Sequence, residues 1–100
     1  MKQIINGKKY DTQTAEHIYE WDNNLGESDF NHCYEDLYRK KTGEYFLYGR
    51  GGPMSRYAES NGNTSFGSKR IVPLTIEEAK YWVEDKANEI YEQLFGEVAE

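Results

Sequence analysis

Residues 75–78 read Thr-Ile-Glu-Glu, and this tetrapeptide constrains the rest of the chain more than any other. It is a capping box: the Thr75 hydroxyl accepts from the N–H of the third helical residue while the Glu78 carboxylate reaches back to the N–H of Thr75, so orphaned donors at a helix start are satisfied reciprocally. Ile76, Ala79, Val83, Ala87, Ile90 and Leu94 then recur at intervals of three and four, and Gly96 supplies a C-terminal stop. The pattern predicts a helix over 76–95 whose apolar stripe needs a cover, with Leu74 placed to staple onto Ala79. Glu78, Asp85, Glu89 and Glu92 fall on the other side with Tyr81, and that side must face solvent or a partner.

The cover has to come from strands. Asn6-Gly7 is a strong two-residue hairpin signal, because both positions favour positive φ, and it predicts strands near 2–5 and 8–10. Asp11 or Thr12 then offers an N-cap, and Ala15, Ile18 and Trp21 at helical spacing predict a short helix to about 22. Between 32 and 48 the aromatic and aliphatic residues flank the turn sequence Lys40-Lys41-Thr42-Gly43, which predicts a second hairpin. Residues 49–53, Gly-Arg-Gly-Gly-Pro, read as a tight turn that stops it; 59–68 read as an exposed loop, and 70–74 as a strand that Pro73 either breaks or confines to an edge. The expected fold is one α+β domain over 1–100. It has a small antiparallel sheet of two hairpins plus an edge strand, packed against a short N-terminal helix and a long C-terminal amphipathic helix.

Composition bears on the core and the compartment. Nine Tyr, with aromatics at 15% of the 100 residues, argue against disorder and for a core rich in rings. The one cysteine, Cys33, excludes an intramolecular disulfide, and the opening MKQIING has no apolar run of the kind a signal peptide or membrane span needs. The expected setting is a reducing cytoplasm with no membrane partner.

Charge is arranged in blocks. Residues 1–10 carry +3, 11–36 carry −8, 37–74 carry +5 and 75–100 carry −6, which gives a formal net charge of −6. Either the blocks neutralise one another in the fold or one of them is left as a functional acidic face. The net charge disfavours free nucleic acid as a partner of the whole molecule, since phosphate is drawn to positive fields.

No catalytic, metal or cofactor site is expected. His17, His32 and Cys33 have no zinc-like spacing, and His32 and Cys33, adjacent on a strand, point to opposite faces, so a buried structural thiol is the reading for Cys33. The glycines of 49–53 lack the lysine and helix start of a phosphate-binding loop, and no motif selects an acid–base pair among the many carboxylates.

Two binding surfaces can be drawn from the sequence. Glu78, Asp85 and Glu92, one or two helical turns apart, have separations of the order of backbone phosphate spacing or a small multiple of it, Glu89 lies on the same side, and exposed Tyr81 and Trp82 would add anchors. Such a face suits a basic, nucleic-acid-handling protein partner as a DNA mimic. The alternative is direct nucleic-acid binding by the basic and aromatic segment 37–74, through Arg39, Lys40, Lys41, Arg50, Arg56, Lys69 and Arg70 interleaved with tyrosines. A structural module that forms homo-oligomers through surface tyrosines and acids is a third reading.

Three stretches carry a resemblance: KQIINGKKYDTQTA at 2–15, LYRKKTGEYFLYGRGGPMSRYA at 37–58 and IVPLTIEEAKYW at 71–82. Together they resemble a family of small proteins carried by phages and mobile elements of Gram-positive bacteria. Small acidic proteins of that setting include anti-CRISPR inhibitors, so the resemblance implies an inhibitor of a host-defence nuclease complex that works by binding. The shared motifs are turns, strands and a capped helix, and no family-wide functional residue carries over.

Overall fold

Asn6 and Gly7 both take positive φ (51° and 78°), as the two-residue turn demands, and join β1 (Lys2–Ile5) to β2 (Lys8–Asp11). The computed structural model describes residues 1–100. Beyond this hairpin, which forms a two-stranded sheet of its own, β3 (Glu16–Asp22), β4 (Cys33–Arg39), β5 (Tyr45–Gly51) and β8 (Ser68–Leu74) make a four-stranded antiparallel sheet in the order β3-β4-β5-β8. A short hairpin of β6 (Glu59–Asn61) and β7 (Thr64–Phe66) projects between β5 and β8. The chain ends in α1 (Ile76–Lys86), a 3₁₀ turn at Asn88–Ile90 and α2 (Tyr91–Phe95).

The fold corrects the α+β expectation, since 42% of the residues are strand and no long C-terminal helix exists. The segment expected as an N-terminal helix is β3. Asp11 closes a turn rather than capping a helix: its carboxylate accepts from the N–H of Gln13 at 2.9 Å and its carbonyl from the N–H of Ala15 at 3.1 Å. The helical spacing of Ile18 and Trp21 arises from a β-bulge between His17 and Tyr19, which brings Ile18, Tyr19 and Trp21 all against the same core cluster. The 76–95 helix is broken at Ala87 (φ −142°, ψ 44°), and the Asn88 side-chain amide donates to the Glu84 carbonyl, at 3.1 Å, in place of a backbone bond. The expected loop 59–68 carries the β6–β7 hairpin, which is exposed throughout. Gly49 and Gly51, read as part of a turn, lie inside β5.

The sheet has two unlike faces. Toward α1 it presents Leu37, Tyr45 and Leu47, which bury Ala79, Trp82, Val83 and Ala87. On the other side Phe46 and Ile71 pack under Tyr10 of the N-terminal hairpin, with Tyr10 edge-on to Phe46 (5.5 Å) and Tyr38 stacked on it (5.3 Å). Lys8 ties that hairpin to the β4–β5 turn by donating to Glu44 at 3.0 Å, and donation from Lys8, Lys40 and Thr42 holds the Glu44 carboxyl down at about 2. The hairpin covers only part of this face, and the part around Tyr34, Arg50 and Lys69 stays open. At the β8 edge Pro73 removes one donor and the Gln3 side chain accepts from the N–H of Ile71 at 3.4 Å, so the edge is blunted against strand addition.

Candidate protein-docking surface

The capping box forms as its sequence requires. Thr75 Oγ1 accepts from the N–H of Glu78 at 3.1 Å and Glu78 Oε1 accepts from the N–H of Thr75 at 2.8 Å. From that start α1 turns Ala79, Trp82 and Val83 inward, while Ile76, expected on the buried stripe, is exposed. Trp82 is therefore corrected from a surface anchor to a core residue, 5% exposed, whereas Tyr81 is 73% exposed as expected. The inner stripe is wider than the periodic count of aliphatics suggested, and the largest side chain on the helix takes its centre.

Trp82 is held by a buried carboxylate. Glu35 of β4, 1% exposed, accepts from the Trp82 indole N–H at 2.9 Å with Oε1, and with Oε2 from the Tyr57 hydroxyl and from Arg56 Nη1 at 3.0 Å. One acid thus fastens β4, α1 and the 52–58 loop together. Burial first, and then the hydrogen bond to Glu35, push the Tyr57 phenol far above its ordinary range. A group whose proton is held more tightly in the fold stabilises it fully below the unfolded pKa of about 10 and loses that contribution as pH rises above it. Urea midpoints measured across the alkaline range should fall as pH rises past about 10, with a shallower fall in Tyr57→Phe. Equal slopes in the two proteins would remove Tyr57 from the account.

Between α1 and the β5–β8 side of the sheet runs a groove of about 390 Å³. Leu47, Val72, Leu74 and Trp82 give it an apolar floor, Glu77, Glu78 and Tyr81 stand on its helix wall, and Arg56 and Lys86 also line it. Of the six residues expected to bind a partner, the structure brings Glu78, Tyr81 and Trp82 to this groove, with Asp85 one turn further on. Glu89 and Glu92 lie beyond the break at Ala87. Their carboxylates are engaged, Glu89 by the Tyr19 hydroxyl at 2.7 Å and Glu92 by the N–H of Val98 at 2.8 Å. The Tyr19 bond also lowers the Glu89 pKa and raises that of Tyr19. Sequence reasoning missed Glu77 and Glu84, which share the outer face with Tyr81 and Asp85; their spacing along the helix was the available signal.

The alternative set of cations does not form one surface. Arg39 is paired with Glu16 at 2.8 Å, Lys40 with Glu44 at 3.2 Å and Arg56 with Glu35, while Arg70 donates to the Arg56 carbonyl at 3.2 Å and lies on the Tyr57 ring. Most of the rings between them, Tyr45, Phe46 and Tyr57, are buried. Lys41, Arg50, Lys69 and Arg70 have no carboxylate partner, and Lys41 sits apart at the β4–β5 turn. Burial raises the pKa of Cys33, in keeping with a structural thiol. No three His, Cys, Asp or Glu side chains converge as a metal site would require, and no helix is long and apolar enough to cross a membrane.

These pairings answer the question that the charge blocks raised. The 11–36 block is partly neutralised through Glu16–Arg39 and Glu35–Arg56, whereas in the last block Asp85 alone has a cation, its neighbour Lys86 at 3.1 Å. The C-terminal helical segment keeps an exposed acidic face. Compared with protein-family models, curated proteins and solved structures, the chain and its fold find no match.

Proposed function

We propose that this chain is a non-catalytic binding protein, an anti-CRISPR-type inhibitor that lays the outer face of α1 on a basic surface of an RNA-guided nuclease or a similar nucleic-acid-handling complex. The observation that carries the reading is the unneutralised acidic patch around Tyr81: Glu77 and Glu84 have no cation partner and Asp85 only an adjacent lysine, beside an apolar groove. A surface that accepts a nucleic-acid backbone is positive and recognises charge spacing rather than base sequence. Carboxylates on successive helical turns compete for it, and an exposed tyrosine beside a groove supplies the amphipathic anchor typical of interface hot spots. The resemblance to small phage and mobile-element proteins points the same way.

The test is a charge reversal that spares the fold. Glu78 and Glu89 must be left alone, because one closes the helix cap and the other holds β3. A variant with Glu77→Gln, Glu84→Lys and Asp85→Lys should keep wild-type stability to within about 1 kcal/mol, since these side chains are exposed. Its inhibition of target cleavage by an RNA-guided nuclease from a Gram-positive host should fall roughly 30- to 100-fold, the equivalent of about 2–3 kcal/mol of binding. Wild-type inhibition should weaken with rising salt. Undiminished inhibition by the variant would sink the acidic-face reading.

A further inference from the structure

The opposite face of the sheet carries a pair of charges that the fold leaves unanswered. Arg50 of β5 and Lys69 of β8 are direct cross-strand partners. Like charges directly opposite one another destabilise a sheet, and neither residue has a carboxylate within ion-pair distance. The Arg50 guanidinium lies 4.8 Å over the ring of Tyr34, its cross-strand neighbour on the other side, and the His32 ring tilts against Tyr34 at 5.5 Å. The Arg50 cation is thus seated against a ring while the residue stays exposed. Arg50, Lys69, Ser68 and His32 line an open cavity of about 460 Å³, in which Glu27 is the one carboxylate. Its floor is backbone: a Cβ on Gly67 would come within 2.5 Å of the Gly51 carbonyl oxygen, so the two chains meet there without side chains between them. At the same end of the sheet Phe30 and Met54 are held together by a 2.8 Å backbone hydrogen bond and are 62% and 65% exposed.

We infer that this corner binds single-stranded nucleic acid, with a phosphodiester between Arg50 and Lys69 and a base stacked on the outer face of the Arg50 guanidinium. An anion between the two cations relieves their repulsion. Unpaired bases stack on aromatic rings and on arginine planes, whereas a duplex buries its base faces. The site lies on the sheet face away from α1, so it is independent of the acidic docking surface.

Fluorescence anisotropy of a labelled oligothymidylate, titrated with the full chain at low salt, tests it. One phosphate held between the two cations predicts a slope of about −0.7 for log affinity against log salt on a single strand. Arg50→Gln with Lys69→Gln, both exposed positions, should weaken binding about tenfold or more. The α1 variant with Glu77→Gln, Glu84→Lys and Asp85→Lys should bind the oligonucleotide at least as tightly as the wild type, which separates this site from the proposed inhibitory face. No binding by the wild type, equal affinity in the Arg50 and Lys69 variant, equal affinity for a duplex, or binding of a phosphopeptide in place of the oligonucleotide would each overturn the inference.

Discussion

Replacing Glu35 with alanine should cost the fold about 3–5 kcal/mol, enough to unfold a marginally stable domain of this size. The carboxylate is almost wholly enclosed and accepts from Trp82, Tyr57 and Arg56. Truncation removes none of the desolvation that the two buried donors suffer on folding, and each donor left without a partner costs about 1–3 kcal/mol. Arg56, half in solvent, finds water instead and adds little. A cavity under α1 adds to the loss. Glu35→Gln keeps a carbonyl oxygen for the indole and should cost only about 1–2 kcal/mol. Chemical denaturation of the three proteins decides the matter: an alanine variant within about 1 kcal/mol of wild type would mean that the network does not fasten the helix to the sheet. Because Trp82 floors the groove and Arg56 helps to line it, Glu35→Ala should also weaken docking in any sample that remains folded.

Features with local chemistry were legible in the sequence, and those set by partners far along the chain were not. Asn6-Gly7 and the Thr75–Glu78 box depend only on neighbouring backbone, and both appear where their residues place them. Pro73 signalled an edge strand for the same kind of reason. At β3 a bulge accommodates apolar positions three apart, so a strand read as a helix turn although its Tyr, Trp and Ile residues favour strand. The break at Ala87 has no proline or glycine to announce it, and Ile90 and Leu94 beyond it still reach the core that a continuous helix would reach. The docking surface was half legible for a related reason: helical spacing exposes Tyr81 and Asp85, but Trp82 is claimed by Glu35, 47 residues away, and no pattern in the sequence encodes that pairing. The basic segment failed as one surface because its cations alternate between the two faces of the sheet, leaving Arg50 and Lys69 on one side and Arg39 and Arg70 on the other.

Gly49→Ala should be nearly as damaging as the loss of Glu35, at about 3 kcal/mol or more, although the change adds a single methyl group. Its backbone does not occupy the left-handed region, so the demand for glycine is one of space. A Cβ there would fall 1.8 Å from Cζ of Tyr57 and 2.0 Å from its hydroxyl oxygen. Tyr57 has nowhere to go: its side chain is fully buried, its hydroxyl is held by Glu35, and the guanidinium groups of Arg70 and Arg56 lie 4.9 and 5.2 Å from its ring centroid. Gly26→Ala, where a Cβ meets nothing, serves as a control and should change stability by no more than about 0.5 kcal/mol. Gly49→Ala should displace the ring and with it the hydroxyl that satisfies Glu35, so the same interaction is lost in either single variant. The two are therefore coupled, and Gly49→Ala with Glu35→Ala should cost clearly less than the two measured separately, by at least about 1 kcal/mol. Simple additivity in that double-mutant cycle would show that Gly49 makes room for Tyr57 without serving the Glu35 network, and that β5 and α1 are joined by other means.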